Sequence, residues 1–588
     1  MDSIKIDFSR DNLFDNAGLK RLKDSYMMQS ETSPQQRYAF VCSKLGSNAD
    51  HSQRMYDYAS KHWVSFSTPI LSLGRAKSGL PISCYLSYLP DTSAGLLDTQ
   101  REVNKLSMLG GGVGIGVNLR AADKKSTGIM PHMKTYDSCS LAYRQDEIRR
   151  GSYAMYLDID HPEILPFIDM RKVTGDHNIR CHNIHHGINI SDKFMNLIKK
   201  CVTDSTVDDK WDLIDPHTKL VTKAVSAKDL WQRILDTRMR TGEPYLCFID
   251  TCNRNMYPFQ KEKGRKIRQS NLCSEIVLAT DEYNTAVCCL SSLNLAKYDE
   301  WKSHPLFVKD VAEFLDNALT MFITSAPSDI ERAIRSASNE RSIGIGVLGL
   351  HDYFQSKLIS MESLDAKKLN LQIFLDLKIK IDTANYILGA ERGSPSDLIG
   401  TGRRFCCTMA IAPTASTSII MGNTSPSIEP YRANAYRQDT LSGSHLTKNR
   451  NLDNILKSRF NNDRVNEIWH DILMNSGSVQ HLPDTIISKD EKDIFKTAFE
   501  IDPFCLLKLA ADRQQYIDQA QSLNVFLPPT VDVKILHQIH FSAWDLGLKT
   551  MYYLRSTKAV ATDKLGEKPL SVCIRKKGGS TEECMACQ

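Results

Sequence analysis

What the chain lacks narrows the field first. No apolar stretch approaches the roughly 18 residues of a membrane span, and the opening Met1-Asp2-Ser3-Ile4-Lys5 holds no signal-peptide core. Neither membrane insertion nor export is expected, and a cytoplasmic location is. An excess of one charge is missing too: 74 Lys and Arg against 69 Asp and Glu leave a net charge of +5 over 588 residues. That balance argues against direct nucleic-acid binding and suits anionic small substrates. A dinucleotide fingerprint is absent although the glycines for one are present. The run Leu109-Gly110-Gly111-Gly112-Val113-Gly114-Ile115-Gly116-Val117 follows an amphipathic helix and leads into a strand, the reverse of the order that motif needs. These glycines permit close approach of the backbone to a phosphate or to another strand. Zinc-ligand spacing is missing around Cys181, His182, His185 and His186, which read as loop or core side chains, with no metal site.

What is present describes a large globular protein. A chain of 588 residues, 41% hydrophobic and 24% charged, exceeds the size at which one core stops growing, so several domains or one large barrel are expected. Sixteen cysteines without a secretory signal point to a reducing compartment, where thiols are catalytic, metal-bound or buried. Apolar strands recur between helices, predicted near 305–324 and 363–392, which argues for α/β.

One stretch organises the rest: Arg268-Gln269-Ser270-Asn271-Leu272-Cys273-Ser274-Glu275. Read as an extended segment, it puts Asn271, Cys273 and Glu275 on one side. The carboxylate can serve as a base, the amide can orient a hydroxyl, and the thiol can attack or carry a radical. Elsewhere, Cys84 sits in an apolar run, and Cys288-Cys289 are poor partners for each other but can pair with a distant thiol. At Met409–Ile420 an apolar strand turns at Pro413 into small hydroxylated residues that can cap a helix and hold phosphate. Arg171–Arg180 reads as a flexible basic loop and 544–555 as a strand-like run, whose adjacent Tyr552 and Tyr553 would face opposite sides. The final Cys584-Met585-Ala586-Cys587 follows a linker-like stretch, as a redox dithiol or half a zinc site.

In this order, the segments from Thr68 to Cys587 resemble the large catalytic subunit of class I ribonucleotide reductase. The most specific pieces are Ser270–Glu275, Pro413–Thr417, Ser427-Ile428-Glu429-Pro430 and Met551-Tyr552-Tyr553. The resemblance implies a ten-stranded α/β barrel of two antiparallel halves with a central finger loop carrying Cys273. It implies four segments: a short helical region at 1–65, the barrel at 66–520, a segment with the radical-transfer tyrosines at 521–565, and a flexible redox tail at 566–588. It also implies roles. Cys273 is the thiyl-radical cysteine, Glu275 the base and Asn271 the orienting amide; Cys84 and Cys288 supply two electrons. Tyr552 and Tyr553 relay the radical, and Cys584 and Cys587 form the tail dithiol. Thr68, Ser83, Thr414, Ala415, Ser416, Thr417 and Ser418 contact substrate, and Asp91, Arg120 and Arg180 belong to the allosteric specificity site.

The resemblance further implies ribonucleoside diphosphate substrates and a deoxynucleoside triphosphate or ATP effector. No cofactor is tightly bound in this chain, since a small metal-containing subunit delivers the radical. Thioredoxin or glutaredoxin is the reductant, and the oligomer is a homodimer. Little precedes Thr68, so an N-terminal ATP-cone and its dATP shut-off are not expected. A compact enzyme of this kind would suit a virus or phage, which places it in the host cytoplasm. Two alternatives remain: an adenosylcobalamin-dependent reductase of the same superfamily, and a zinc-tailed nucleotide-binding protein.

Overall fold

The computed structural model describes residues 4–75, 79–143, 152–440 and 443–556. Cys584, Cys587 and the segment 566–588 lie outside the described residues. The chain begins with helices Asn16–Ser25, Pro34–Leu45 and Ala49–Ser60, each opened by a side-chain cap: Asp15, Ser33 and Asn48 accept from Gly18, Gln35 and His51 amides. Strand Val64–Phe66 then pairs antiparallel with Ala286–Asn294, which binds this helical region to the main sheet.

Five strands lie parallel in sequence order: Cys84–Pro90, Gly112–Asn118, Ser152–Asp158, His185–Ile190 and Tyr245–Phe248. Helices such as Ser93–Met108 and Ala227–Thr241 form crossovers between them. Ala286–Asn294 runs antiparallel to Cys84–Pro90, and Ile343–Leu348 runs parallel to Ala286–Asn294. At the far edge Thr550–Met551 is antiparallel to Tyr245–Phe248. Two irregular staves close the gap. Residues 407–411 accept from Ile343 and Ile345, and the chain at 519–523 exchanges backbone bonds with Met409 and Ile411 and accepts from Tyr552. The result is a ten-stranded barrel of two antiparallel halves.

Side-chain parity sorts the barrel. On Cys84–Pro90, Gly112–Asn118, Ser152–Asp158 and Ala286–Asn294 odd-numbered residues such as Tyr85, Val113, Met155 and Cys289 pack outward against the helices, whereas on Tyr245–Phe248 the even-numbered Leu246 does. The even-numbered Cys84, Leu86, Tyr156 and Cys288 of the first set, with the odd-numbered Tyr245 and Cys247 of the last strand, form two smaller clusters inside.

Two local readings are corrected. The 544–555 run is not one strand: helix Val533–Asp545 includes Trp544, and regular strand is confined to Thr550–Met551 and Leu554–Ser556. The break falls at Tyr552-Tyr553, so strand alternation does not apply there, and the two rings lie 4.3 Å apart. Helix Ala415–Ile420 forms, but Thr414 does not cap it with its side chain. Its φ is +43°, and its Oγ1 accepts from the Ser427 amide 2.7 Å away.

Candidate active site

The central loop enters the barrel between an antiparallel bridge joining Ile267 and Ala279. Inward-facing Gly114 and Gly116 make room for it. A Cβ at 114 would lie 2.1 Å from the Ser270 carbonyl oxygen, and one at 116 would lie 2.6 Å from Gln269 Oε1. Of the two uses open to the glycine run, close approach of another backbone is the one seen. The tip is a turn, not the expected extended segment. Ile276 donates to Asn271 Oδ1 (3.0 Å), Asn271 donates to the Ile276 carbonyl (3.2 Å), and Ser274 has φ +64°. An amide side chain that caps its own turn competes with extended backbone.

The barrel grips this tip by its main chain. Tyr156 Oη donates to the Asn271 carbonyl (2.7 Å), Thr550 Oγ1 to the Ser274 carbonyl (2.7 Å) and the Ala520 amide to the Glu275 carbonyl (2.9 Å). Ser522 Oγ donates to the Cys273 carbonyl and lies 3.3 Å from Glu275 Oε2. Burial pushes the Glu275 carboxyl up to about 7, with Asn271 and Ser522 pulling it back. Asn271 Nδ2 is near enough to favour the carboxylate, yet it is buried with no hydrogen bond of its own.

On one side of the tip, Cys84 and Cys288 are direct partners in the antiparallel register. Opposed residues in such a pair have Cα atoms about 4.5–5.5 Å apart, within the range a disulfide spans. Neither is in a disulfide here. Burial raises Cys288 well above the usual thiol range, with Gln519 Nε2 donating to its sulfur at 3.5 Å. Cys289 points the other way, into the outer core. On the opposite side Cys273 shares a buried cluster with Tyr156, Tyr245 and Tyr552. Tyr245 lies 4.8 Å from Tyr552 and 5.0 Å from Tyr553, ring centre to ring centre. The tip thus packs on both groups: Cys273 in the cluster of the aromatic stack and Ile276 in the cluster of Cys84 and Cys288.

Comparison with known proteins decides the family. The family model described as "Ribonucleotide reductase, barrel domain" matches residues 82–398 and 395–554, and "Ribonucleotide reductase, all-alpha domain" matches 12–79. The chain belongs to the ribonucleotide reductase large-subunit family. It is 49% identical to the ribonucleoside-diphosphate reductase large subunit of Invertebrate iridescent virus 3, covering 96% of this chain and 97% of that protein. The corresponding subunit of Invertebrate iridescent virus 6 is 40% identical, with 96% and 94% covered. Among solved structures, the Actinobacillus ureae class Id ribonucleotide reductase alpha subunit superposes with a TM-score of 0.82 at 32% identity, covering 94% of this chain and 99% of that one. No described helix is long and apolar enough to cross a membrane.

The other positions expected of a reductase fall into two groups. Thr68 Oγ1 lies 3.3 Å from Tyr26 Oη, and Arg21 donates to Ser416 Oγ at 2.9 Å. Helix Asn16–Ser25 and its cap Tyr26 therefore touch both Thr68 and the 414–418 segment. Ser83 adjoins Cys84, with its Oγ 4.0 Å from the sulfur. Asp91 and Arg120 follow paired ends of parallel strands, Pro90 opposite Asn118, and form a salt bridge of 2.5 Å. Arg180 does not join them in any hydrogen bond or ion pair seen; its Nε donates to the Thr174 carbonyl within its own loop. That loop is tied at its base, where the Cys181 amide donates to the Met170 carbonyl.

Sequence reasoning overlooked Tyr156, Tyr245, Gln519, Ser522 and Thr550. Each reaches the site from far along the chain, and none carries a local signal beyond its strand. Arg21 was also overlooked. Among the described residues one trio has the proximity of metal ligands: His51, Asp310 and Glu313. Arg54 and Tyr58 bond Asp310, Ser47 and Arg392 bond Glu313, and both His51 ring nitrogens are engaged, so it is an ion-pair network.

Proposed function

We propose that this chain reduces ribonucleoside diphosphates to 2′-deoxyribonucleoside diphosphates, with Cys273 as the radical-bearing thiol. Cys273, oxidised to a thiyl, removes the 3′ hydrogen, and the Glu275 carboxylate takes the 3′-hydroxyl proton. The 2′-hydroxyl then leaves as water. Cys84 and Cys288 supply two electrons and two protons and become a disulfide, and the Cys273 hydrogen returns to the 3′ carbon. The sum is diphosphate plus two thiols giving deoxy-diphosphate, disulfide and water. The observation that carries this reading is the loop tip. It packs Cys273 in the cluster of the tyrosine stack and Ile276, next to Glu275, in the cluster of the opposed Cys84–Cys288 pair. The unbonded Asn271 Nδ2 is a donor suited to a ribose hydroxyl. Helix Ala415–Ile420 and the hydroxyls at Thr414–Ser418 suit the diphosphate.

Tyr553 and Tyr552 pass the radical inward from a small metal-containing subunit. Adjacent rings suit this because hydrogen transfer requires contact at every step. The tail dithiol Cys584/Cys587 re-reduces the active-site disulfide by thiol–disulfide exchange, and thioredoxin or glutaredoxin then reduces the tail. A homodimer binds a deoxynucleoside triphosphate effector near Asp91, Arg120 and Arg180. The test is diphosphate reduction with a matched radical subunit. Cys273→Ser and Tyr553→Phe abolish turnover with every reductant, while Cys587→Ser loses thioredoxin-supported turnover and keeps activity with a small dithiol. Full turnover by Cys273→Ser would refute the reading.

A further inference from the structure

A second buried carboxylate stands beside the tyrosine stack and has no part in the chemistry above. Glu243, 1% exposed, follows Gly242, the left-handed cap of helix Ala227–Thr241. Its Oε1 lies 2.6 Å from His185 Nδ1, and its Oε2 lies 3.2 Å from His186 Nδ1 and 3.4 Å from Arg171 Nε. Burial opposes its ionisation, but Arg171 and the two histidines outweigh burial and hold the carboxyl well below the usual range. A carboxylate in this state orients the imidazole it bonds.

His185 passes that orientation on. The same Nδ1 lies 3.4 Å from Tyr553 Oη, the ring meets Tyr553 edge-on at 6.2 Å, and it stacks on Tyr245 at 6.0 Å. Three further contacts hold the relay. Arg555 lies 4.1 Å over the Tyr553 ring, the Tyr553 amide donates to Asn524 Oδ1 (3.1 Å), and Arg238 Nη2 donates to the Tyr552 carbonyl (3.0 Å). Of these contacts, the one from His185 reaches the phenol oxygen, the atom that must give up and regain hydrogen.

We propose that Glu243, acting through His185, is a positioning residue that sets the Tyr553 phenol in the stack with Tyr245 and Tyr552. This rests on the relay reading above. The nitrogen that faces the phenol is the one that faces the carboxylate at 2.6 Å, so the part assigned to His185 is to limit the orientations open to the phenol and not to act as its base. Arg171, which opens the loop 171–182, holds the same carboxylate.

The experiment uses the full chain with its radical subunit and compares Glu243→Gln, Glu243→Asp, His185→Phe and Tyr553→Phe. It measures kcat, KM for the diphosphate and melting temperature. It also measures the electron paramagnetic resonance signal trapped when 3-aminotyrosine replaces Tyr553. His185→Phe keeps an aromatic ring and removes the nitrogen. Glu243→Gln and His185→Phe are expected to lower kcat about tenfold, as misplacement of a reacting group does. KM stays unchanged, the trapped radical falls in yield or alters in hyperfine pattern, and Glu243→Asp recovers part of the loss. Wild-type kcat and radical signal in both Glu243→Gln and His185→Phe, with Tyr553→Phe inactive, would overturn the inference alone. An active Tyr553→Phe would overturn the relay itself. Should Glu243→Gln fail to fold, His185→Phe decides.

Discussion

Gly114→Ala tests whether the loop tip must sit where it does. The added methyl carbon would lie 2.1 Å from the Ser270 oxygen and 2.7 Å from the Asn271 Cα, against at least 3.4 Å for ordinary contact. Both neighbours are backbone, so relief requires moving the loop or the Gly112–Asn118 strand by about 1 Å. The loop has the fewer bonds to break, and Cys273 moves with it. A misplacement of about 1 Å at a reacting centre costs on the order of 100-fold in rate, or about 2.7 kcal/mol of barrier. The overpacking itself costs about 1–3 kcal/mol of stability. Gly116→Ala is the internal comparison. Its methyl would meet Gln269 Oε1 at 2.6 Å, an atom of a side chain held by Thr280 and the Ser87 carbonyl, so relief disturbs those side-chain bonds before the loop backbone and its loss of turnover should be several-fold smaller. Diphosphate reduction with saturating radical subunit, alongside a thermal melt, separates the two terms. A folded Gly114→Ala protein that turns over at the wild-type rate would refute the claim that this glycine exists to admit the loop.

The pH dependence follows from Glu275, whose carboxyl is raised to about 7 by burial. The base must be ionised, so the single-turnover rate of pre-reduced protein should climb about tenfold from pH 6 to pH 8, as the carboxylate fraction goes from roughly a tenth to nine-tenths; a flat profile would count against Glu275 as the base. Stability moves the other way: the unfolded carboxyl releases its proton first, near 4.5, so the native contribution is full below that pH and declines up to about 7. For the thiols, one turnover without reductant should yield a Cys84–Cys288 crosslink in peptide mapping, with Cys289→Ser still active. A Cys84–Cys289 crosslink would break the parity argument.

Much of the architecture is written in short stretches. The helices near 305–324 and 363–392 appear as Phe307–Ser325 and Leu364–Arg392, and Gly242 ends its helix in the left-handed conformation as a C-terminal glycine does. The reactive groups at Asn271, Cys273 and Glu275 are equally visible, because their chemistry belongs to the residues themselves. Their arrangement is not. Whether 271–275 runs straight or turns depends on carbonyls being taken by Tyr156, Ser522 and Thr550, hydroxyls from other staves. Whether Tyr552 and Tyr553 diverge or stack depends on a break in strand pairing that only barrel closure imposes.

The amino-acid order alone therefore determined which side chains can carry the chemistry and which segments are helix or strand, since both are set within a few residues. The tertiary structure decided which of two adjacent cysteines faces inward and which glycine yields to the loop. It also brought Glu243 to the tyrosines. Those outcomes depend on register between strands far apart in the chain, and register exists only once the barrel has closed.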